Sequence, residues 1–220
     1  MTRPHAMQGD LVIRRPEASA ALATELLLLF HGVGSSAEDL RPLGQALAPQ
    51  RPGAWVVSVR SPQRSASGGG WQWFSVQGVT EENRLARVAA AMPAFLETVR
   101  AWQRETGVTA AHTTLIGFSQ GAIMALESTQ HGEATAGRVV AIAGRFAQPP
   151  HVAPAGTAVH LLHGEEDRVM PVGLAVDADR QLSALGAGTT LDVYSGLGHG
   201  IDTRVVAGIV RRLGDPVAKG

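Results

Sequence analysis

Short, mostly apolar runs alternate along this chain with longer stretches in which apolar residues recur every three or four positions. The runs are Leu26 to Phe30, Trp55 to Val59, Thr114 to Ile116, Arg138 to Ala143 and Ala158 to Leu162. Apolar residues in unbroken succession suit a strand buried on both faces, as in a parallel sheet. Thr190 to Tyr194 reads as a last strand, and Leu11-Val12-Ile13 as a first strand at an edge. Glu81 to Gln103 is the clearest helix. Leu85, Val88, Ala89, Met92, Phe95, Leu96, Val99 and Trp102 fall on one face of it. Thr80 is its expected N-cap, without a full capping box, with Glu81 and Glu82 in the first turn. Pro93 predicts a kink and Gly107 the end. Further helices are expected over Glu38 to Ala48, from Gly121 to near His131, and from Val172 to Leu185. A C-terminal one carries Ile201, Val205, Val206, Ile209, Val210 and Leu213 on one face.

Strands alternating with amphipathic helices predict an α/β fold, a doubly wound, mostly parallel sheet covered on both sides. There is no internal repeat and no linker composition. Residues 1–220 are therefore expected to form one domain, with 1–9 and 215–220 as loose termini. A length of 220 residues, 45% of them hydrophobic and 17% charged, fits a single globular α/β domain.

Charge and cysteine content narrow the partners. The 19 basic and 19 acidic residues cancel, so electrostatics gives no reason to expect nucleic acid or an anionic membrane. The absence of cysteine excludes disulfides, thiolate catalysis and thiolate-bound metal. Arg14-Arg15 followed by Ala18 to Phe30 imitates an export signal. Glu17 and Glu25 interrupt it, however, and it runs straight into His31-Gly32 without a small-residue cleavage site. No apolar run approaches the roughly 18–20 residues that span a bilayer. A cytoplasmic protein, monomer or homodimer, with a small-molecule substrate is the expectation.

The strand ends carry the candidate chemistry. Gly117-Phe118-Ser119-Gln120-Gly121 follows a short strand and opens a helix, the context of a nucleophile elbow. The bare pattern arises by chance about one time in six in a chain with 26 glycines, and an ordinary helix N-cap is the rival reading of Ser119. The order Ser119, Asp167, His199 is the hydrolase order of nucleophile, acid and base. A hydroxyl needs an imidazole to take its proton, and the imidazole needs a carboxylate to fix its tautomer. Asp167 competes for the acid role with Glu165, Glu166 and Asp192, and His199 for the base role with His163 and His31. Those last two are expected to bond loop backbone beside the site, and His5, His112, His131 and His151 to face solvent. The N–H groups of Gln120 and of Val33, in the turn His31-Gly32-Val33-Gly34, are the expected oxyanion donors. Gly68-Gly69-Gly70 reads as a flexible loop, with no lysine after it to make a phosphate cradle. Trp71, Trp73 and Phe74 crowd three of ten aromatics into four residues. They are candidates for an apolar substrate wall, with core packing as the alternative.

Together these motifs, with His163-Gly164-Glu165-Glu166-Asp167, Val169, Pro171 and Gly198-His199, resemble the phospholipase/carboxylesterase family, which includes the acyl-protein thioesterases. Gln72 to Glu81 and Leu197 to Asp202 are similar to its bacterial YpfH-type esterases. The resemblance spans about residues 26 to 210. It implies a compact α/β hydrolase without a large lid, acting on small to medium acyl esters without cofactor or metal. It puts the triad on Ser119, Asp167 and His199 and the oxyanion donors on Val33 and Gln120. Ser35 stands where many members have an acid. Lysophospholipase or thioesterase activity would use the same triad. A non-catalytic binding protein on this fold would usually lack one of the three.

Overall fold

The computed structural model describes residues 7–16, 24–66 and 68–215. The expectations for residues 1–6 and 216–220, for His5 and for residues 17–23 of the leader-like stretch lie outside the described residues. Seven strands make one sheet: β1 (Leu11–Arg14), β2 (Glu25–Phe30), β3 (Ala54–Val59), β6 (Thr113–Phe118), β7 (Arg138–Ile142), β8 (Ala158–Gly164) and β9 (Thr189–Tyr194). Two very short strands, β4 (Gln63–Arg64) and β5 (Trp71–Gln72), pair apart from it. The sheet order is β1-β3-β2-β6-β7-β8-β9, and only β1 runs antiparallel to its neighbour.

The apolar runs have the meaning expected of them. In β2, Leu26, Leu28 and Phe30 face one layer of core and Leu27 and Leu29 the other, the period of two that a strand imposes. The first layer is closed by α2 (Glu81–Thr106), α3 (Gln120–Ser128) and α4 (Gly173–Ala184), the second by α1 (Arg41–Leu47) and α5 (Thr203–Leu213). The sheet is thus covered on both faces.

Several local expectations change. Met7 is buried in the first core layer and Asp10 accepts from the Trp102 indole N–H at 2.7 Å, so the described N-terminal residues are anchored and not loose. At the other end Asp215 receives Arg138 and Arg212. Helix α2 is continuous through Pro93, but of its expected apolar face Leu85 and Ala89 are exposed while Val88 between them is buried. Its N-terminus does carry a complete box. Thr80 Oγ1 accepts from Asn83 N–H at 3.3 Å and Asn83 Oδ1 accepts from Thr80 N–H at 2.9 Å, asparagine replacing the usual Glu or Gln. The helix expected over Glu38 to Ala48 is a 3-10 turn (Ala37–Leu40), then α1, then a second 3-10 turn.

The triple glycine is docked at its last residue, while Gly68 and Gly69 are exposed. Gly70 has φ +65° and packs so closely on the His31–Gly34 turn that a Cβ there would lie 2.2 Å from the Gly34 carbonyl oxygen. Gly34 N–H donates to Trp71 O and Trp71 N–H to Ser35 O. The hairpin therefore docks on the turn that carries Val33.

Candidate active site

The carboxyl ends of β2, β6 and β8 and the loop after β9 converge on one apolar cleft of about 330 Å³. Ser119 sits between β6 and α3 with φ 54° and ψ −115°, a conformation that costs a residue with a Cβ on the order of 1–3 kcal/mol. The tightness of the turn explains its glycines. A Cβ on Gly117 would lie 2.5 Å from the Ala122 backbone, and one on Gly121 would lie 2.1 Å from Phe30 O. Although Ser119 is the N-cap of α3, its hydroxyl makes no capping bond. It lies 2.9 Å from His199 Nε2 instead. The N-cap alternative therefore does not describe what this hydroxyl does.

His199 Nδ1 donates to Asp167 Oδ2 at 2.7 Å, which leaves Nε2 of the neutral ring as an acceptor for the serine proton. The Phe118 ring lies against the imidazole, centroids 5.1 Å apart. Asp167 is buried, and its Oδ1 accepts the N–H groups of Val169 and Met170 at 2.9 and 2.8 Å. Burial works to raise its pKa, but the His199 hydrogen bond and these two backbone donors outweigh it and hold the carboxyl below its usual range. The rival acids lie elsewhere: Glu165 and Glu166 are exposed, and Asp192 is taken by Arg211 and Arg212.

The two loops are tied directly. Glu166 N–H donates to Leu197 O at 2.9 Å, and a Cβ on Gly164 would lie 2.3 Å from that same oxygen. The rival histidines bond loop backbone, as expected, and His163 Nε2 also lies 3.3 Å from Asp167 Oδ2. His163 Nε2 donates to Met170 O at 2.7 Å. His31 Nδ1 donates to Gly32 O, and its Nε2 accepts from Ser61 N–H at 3.1 Å. Burial lowers the His31 pKa, which keeps that neutral tautomer. His112, His131 and His151 are exposed.

Val33 and Gln120 both line the cleft. Gln120 is the first residue of α3, so its N–H has no acceptor within the helix. Gly32 must be small here, because a Cβ would press on Ser119 Cβ at 3.3 Å. Ser35, in place of an acid, donates its hydroxyl to Asp39, which also accepts from Ser36 N–H at 2.8 Å, so the turn is ordered by Asp39.

The aromatic cluster divides. Phe74 lines the cleft. Trp73 turns into the core against Phe30 and Phe95, with its indole N–H on His31 O at 2.9 Å. Trp71 lies between the guanidinium groups of Arg60 and Arg64, 4.0 and 4.1 Å from its ring centre. Core packing and cation–π stacking thus claim two of the three expected wall residues. The wall is built instead from Val76, Val79, Ile123, Met170 and Leu174, with Glu81, Arg84 and Arg145 also lining the cleft. Sequence reasoning missed these because nothing local marks them. The Gln120 side chain was missed as well. Its Oε1 accepts from Trp73 N–H at 2.8 Å and its Nε2 donates to Phe74 O at 2.7 Å. An amide following the serine, at the head of an otherwise apolar helix, was the available signal.

Among the described residues no cluster of three His, Asp or Glu could hold a metal ion, and no helix is long and apolar enough to cross a membrane. The sequence profile of a family described as phospholipase/carboxylesterase matches residues 12–213. Esterase YpfH of Escherichia coli strain K12 is 49% identical over 193 residues, which cover 88% of this chain and 82% of that protein. A crystal structure of esterase PE8 aligns with a TM-score of 0.82 at 30% identity over 93% of this chain and 95% of that one. The Bacillus cereus carboxylesterase aligns at 20% identity and a TM-score of 0.78 over 94% of each chain. At that identity the likeness speaks for the fold, which is the α/β-hydrolase fold.

Proposed function

This chain belongs to the phospholipase/carboxylesterase family, and from that premise we propose that it is a serine carboxylesterase working through Ser119, His199 and Asp167. One observation carries the reading: a serine in strained backbone forgoes its helix cap to lie 2.9 Å from an imidazole that is itself bound to a buried carboxylate.

The mechanism follows from the donors and acceptors. His199 Nε2 takes the Ser119 proton as Oγ attacks the ester carbonyl, and Asp167 stabilises the imidazolium. The oxyanion is met by the N–H groups of Gln120 and Val33, each worth about 3–4 kcal/mol of barrier. His199 then returns the proton to the departing alkoxide, leaving an acyl-Ser119. A water that gives its proton to the same Nε2 hydrolyses that acyl group and restores the hydroxyl. An apolar cleft of about 330 Å³ suits small to medium acyl groups.

The test is chemical. A fluorophosphonate should label Ser119, and Ser119→Ala should lower kcat on p-nitrophenyl esters by at least about 10⁴-fold. An unlabelled Ser119, or a variant with full esterase rate, would sink the reading. Rates on a lysophospholipid and an acyl-CoA, set beside short esters, separate the ester reading from lysophospholipase and thioesterase activity.

A further inference from the structure

A second, smaller hollow of about 130 Å³ adjoins the cleft, and the two share two wall residues, Arg145 and Leu174. The hollow has an apolar side of Phe146, Pro149, Pro150 and Ala178 and a polar side of Gln148, Asp177 and Gln181. Arg145 is fixed on three arms. Its Nη1 and Nη2 donate to Glu81 Oε1 and Oε2 at 3.0 and 2.8 Å, and its Nε donates to Phe146 O at 3.0 Å. Only 17% of the Arg145 side chain is exposed, against 67% for Glu81, so the guanidinium lies inward and the carboxylate clamps it from outside. A further contact keeps the clamp in place: Arg84 holds the same Glu81 carboxylate. Hydrogen bonds from Arg145 and then Arg84 hold the Glu81 carboxyl below its usual range, so it stays charged at neutral pH.

We propose that Arg145, clamped by Glu81, sets the acyl-length limit of this enzyme by standing as a partition between the cleft and the apolar side of the hollow behind it. The proposal rests on the esterase reading above. An acyl chain that fills the cleft meets a planar cation there, held by three hydrogen bonds. It gains no further apolar burial unless a bidentate ion pair parts, and that arrangement is among the stronger side-chain contacts. With the plate gone, Leu174 is the one shared lining residue that remains.

The experiment measures kcat/KM on p-nitrophenyl esters from acetyl to dodecanoyl. The wild-type rate should fall beyond a medium chain length. Arg145→Ala should move that fall to longer chains and raise the dodecanoyl-to-butanoyl ratio about tenfold, the gain from burying roughly two more methylenes. Glu81→Gln, which loosens the plate without removing it, should give a smaller rise of the same sign. Leu174→Ala opens the partition from its other side and should raise the ratio even where Arg145→Ala fails to fold. Unchanged ratios in Arg145→Ala and Leu174→Ala, or a loss uniform across the series, overturn the proposal. A wild type that hydrolyses none of the esters overturns the esterase reading, and this proposal with it.

Discussion

The Ser119 hydroxyl could have capped α3 and does not, and its backbone sits where glycine is at home. That pair of facts gives a stability prediction separate from activity. Ser119→Ala and Ser119→Gly both lack the hydroxyl, but only the second loses the Cβ. Relief of about 1–3 kcal/mol of strain, less about 0.5–1 kcal/mol of added chain entropy in the unfolded state, should make the glycine variant more stable by about 1 kcal/mol. Urea midpoints of the two inactive variants check it, and a glycine variant less stable than the alanine one would refute the strain. Asp167 gives a second test. In Asp167→Asn the side-chain oxygen still accepts from Val169 and Met170, which turns the NH₂ toward His199 Nδ1. Nδ1 then becomes an acceptor and Nε2 keeps the proton, the wrong tautomer for taking one from Ser119. The kcat should drop about 10⁴-fold with the fold intact by circular dichroism. Asp167 is held ionised below the usual carboxylate range, so protonation of this carboxyl does not limit the rate in the neutral range.

At the scale of elements, what the sequence reveals depends on how far away the clashing partner lies. Gly117 is legible because its partner, Ala122, is five residues on and the turn type dictates the contact. Gly121→Ala should cost about 3 kcal/mol or more, since its Cβ would lie 2.1 Å from Phe30 O and 2.5 Å from Phe30 C, backbone atoms that cannot rotate aside. The urea midpoint measures that cost; a shift under 1 kcal/mol would mean the strand yields, and the elbow is looser than it looks. Gly70 was illegible for the opposite reason. Its crowding comes from Gly34, far back in the chain, and the hairpin it belongs to has strands of only two residues. The box at Thr80 was missed on a narrower ground: Asn83 is a residue shorter in reach than Glu or Gln, yet its Oδ1 arrives at 2.9 Å. Thr80→Ala should therefore cost about 1 kcal/mol by chemical denaturation, as for a true cap.

Over the whole molecule, the strands were readable because burial on both faces leaves no polar alternation to blur them, as Leu26 to Phe30 shows. The Ser119, Asp167 and His199 loops were readable because a parallel sheet brings its strand ends together. Which face of the 71–74 segment meets the cleft was not, since only packing against Phe30 and Phe95 turns Trp73 inward and leaves Phe74 at the wall. Nor could the sequence show that His160, on β8, is sealed among Arg138, Asp192, Arg212 and Asp215 at one side of the sheet. Its Nδ1 lies 2.8 Å from Thr190 Oγ1, and among the described residues its Nε2 has no partner. Burial first, and then the Arg138 charge, lowers its pKa from 6.5 to about 4. The folded protein thus refuses a proton that the unfolded chain binds, and stability must fall as pH drops from 6.5 toward 4. At pH 4.5 the loss from this one residue is about 2.5 kcal/mol. Buried Glu127, its pKa raised by burial, works in the opposite direction, and Asp167 and Asp192, both lowered, lose their contribution only below the usual carboxylate range. These terms are common to wild type and variant, so a difference isolates the histidine. His160→Asn keeps a partner for Thr190 and cannot titrate. Between pH 7 and pH 4.5 its unfolding free energy in urea should fall by about 2.5 kcal/mol less than that of the wild type. Equal losses in the two proteins would show that His160 takes up its proton without unfolding.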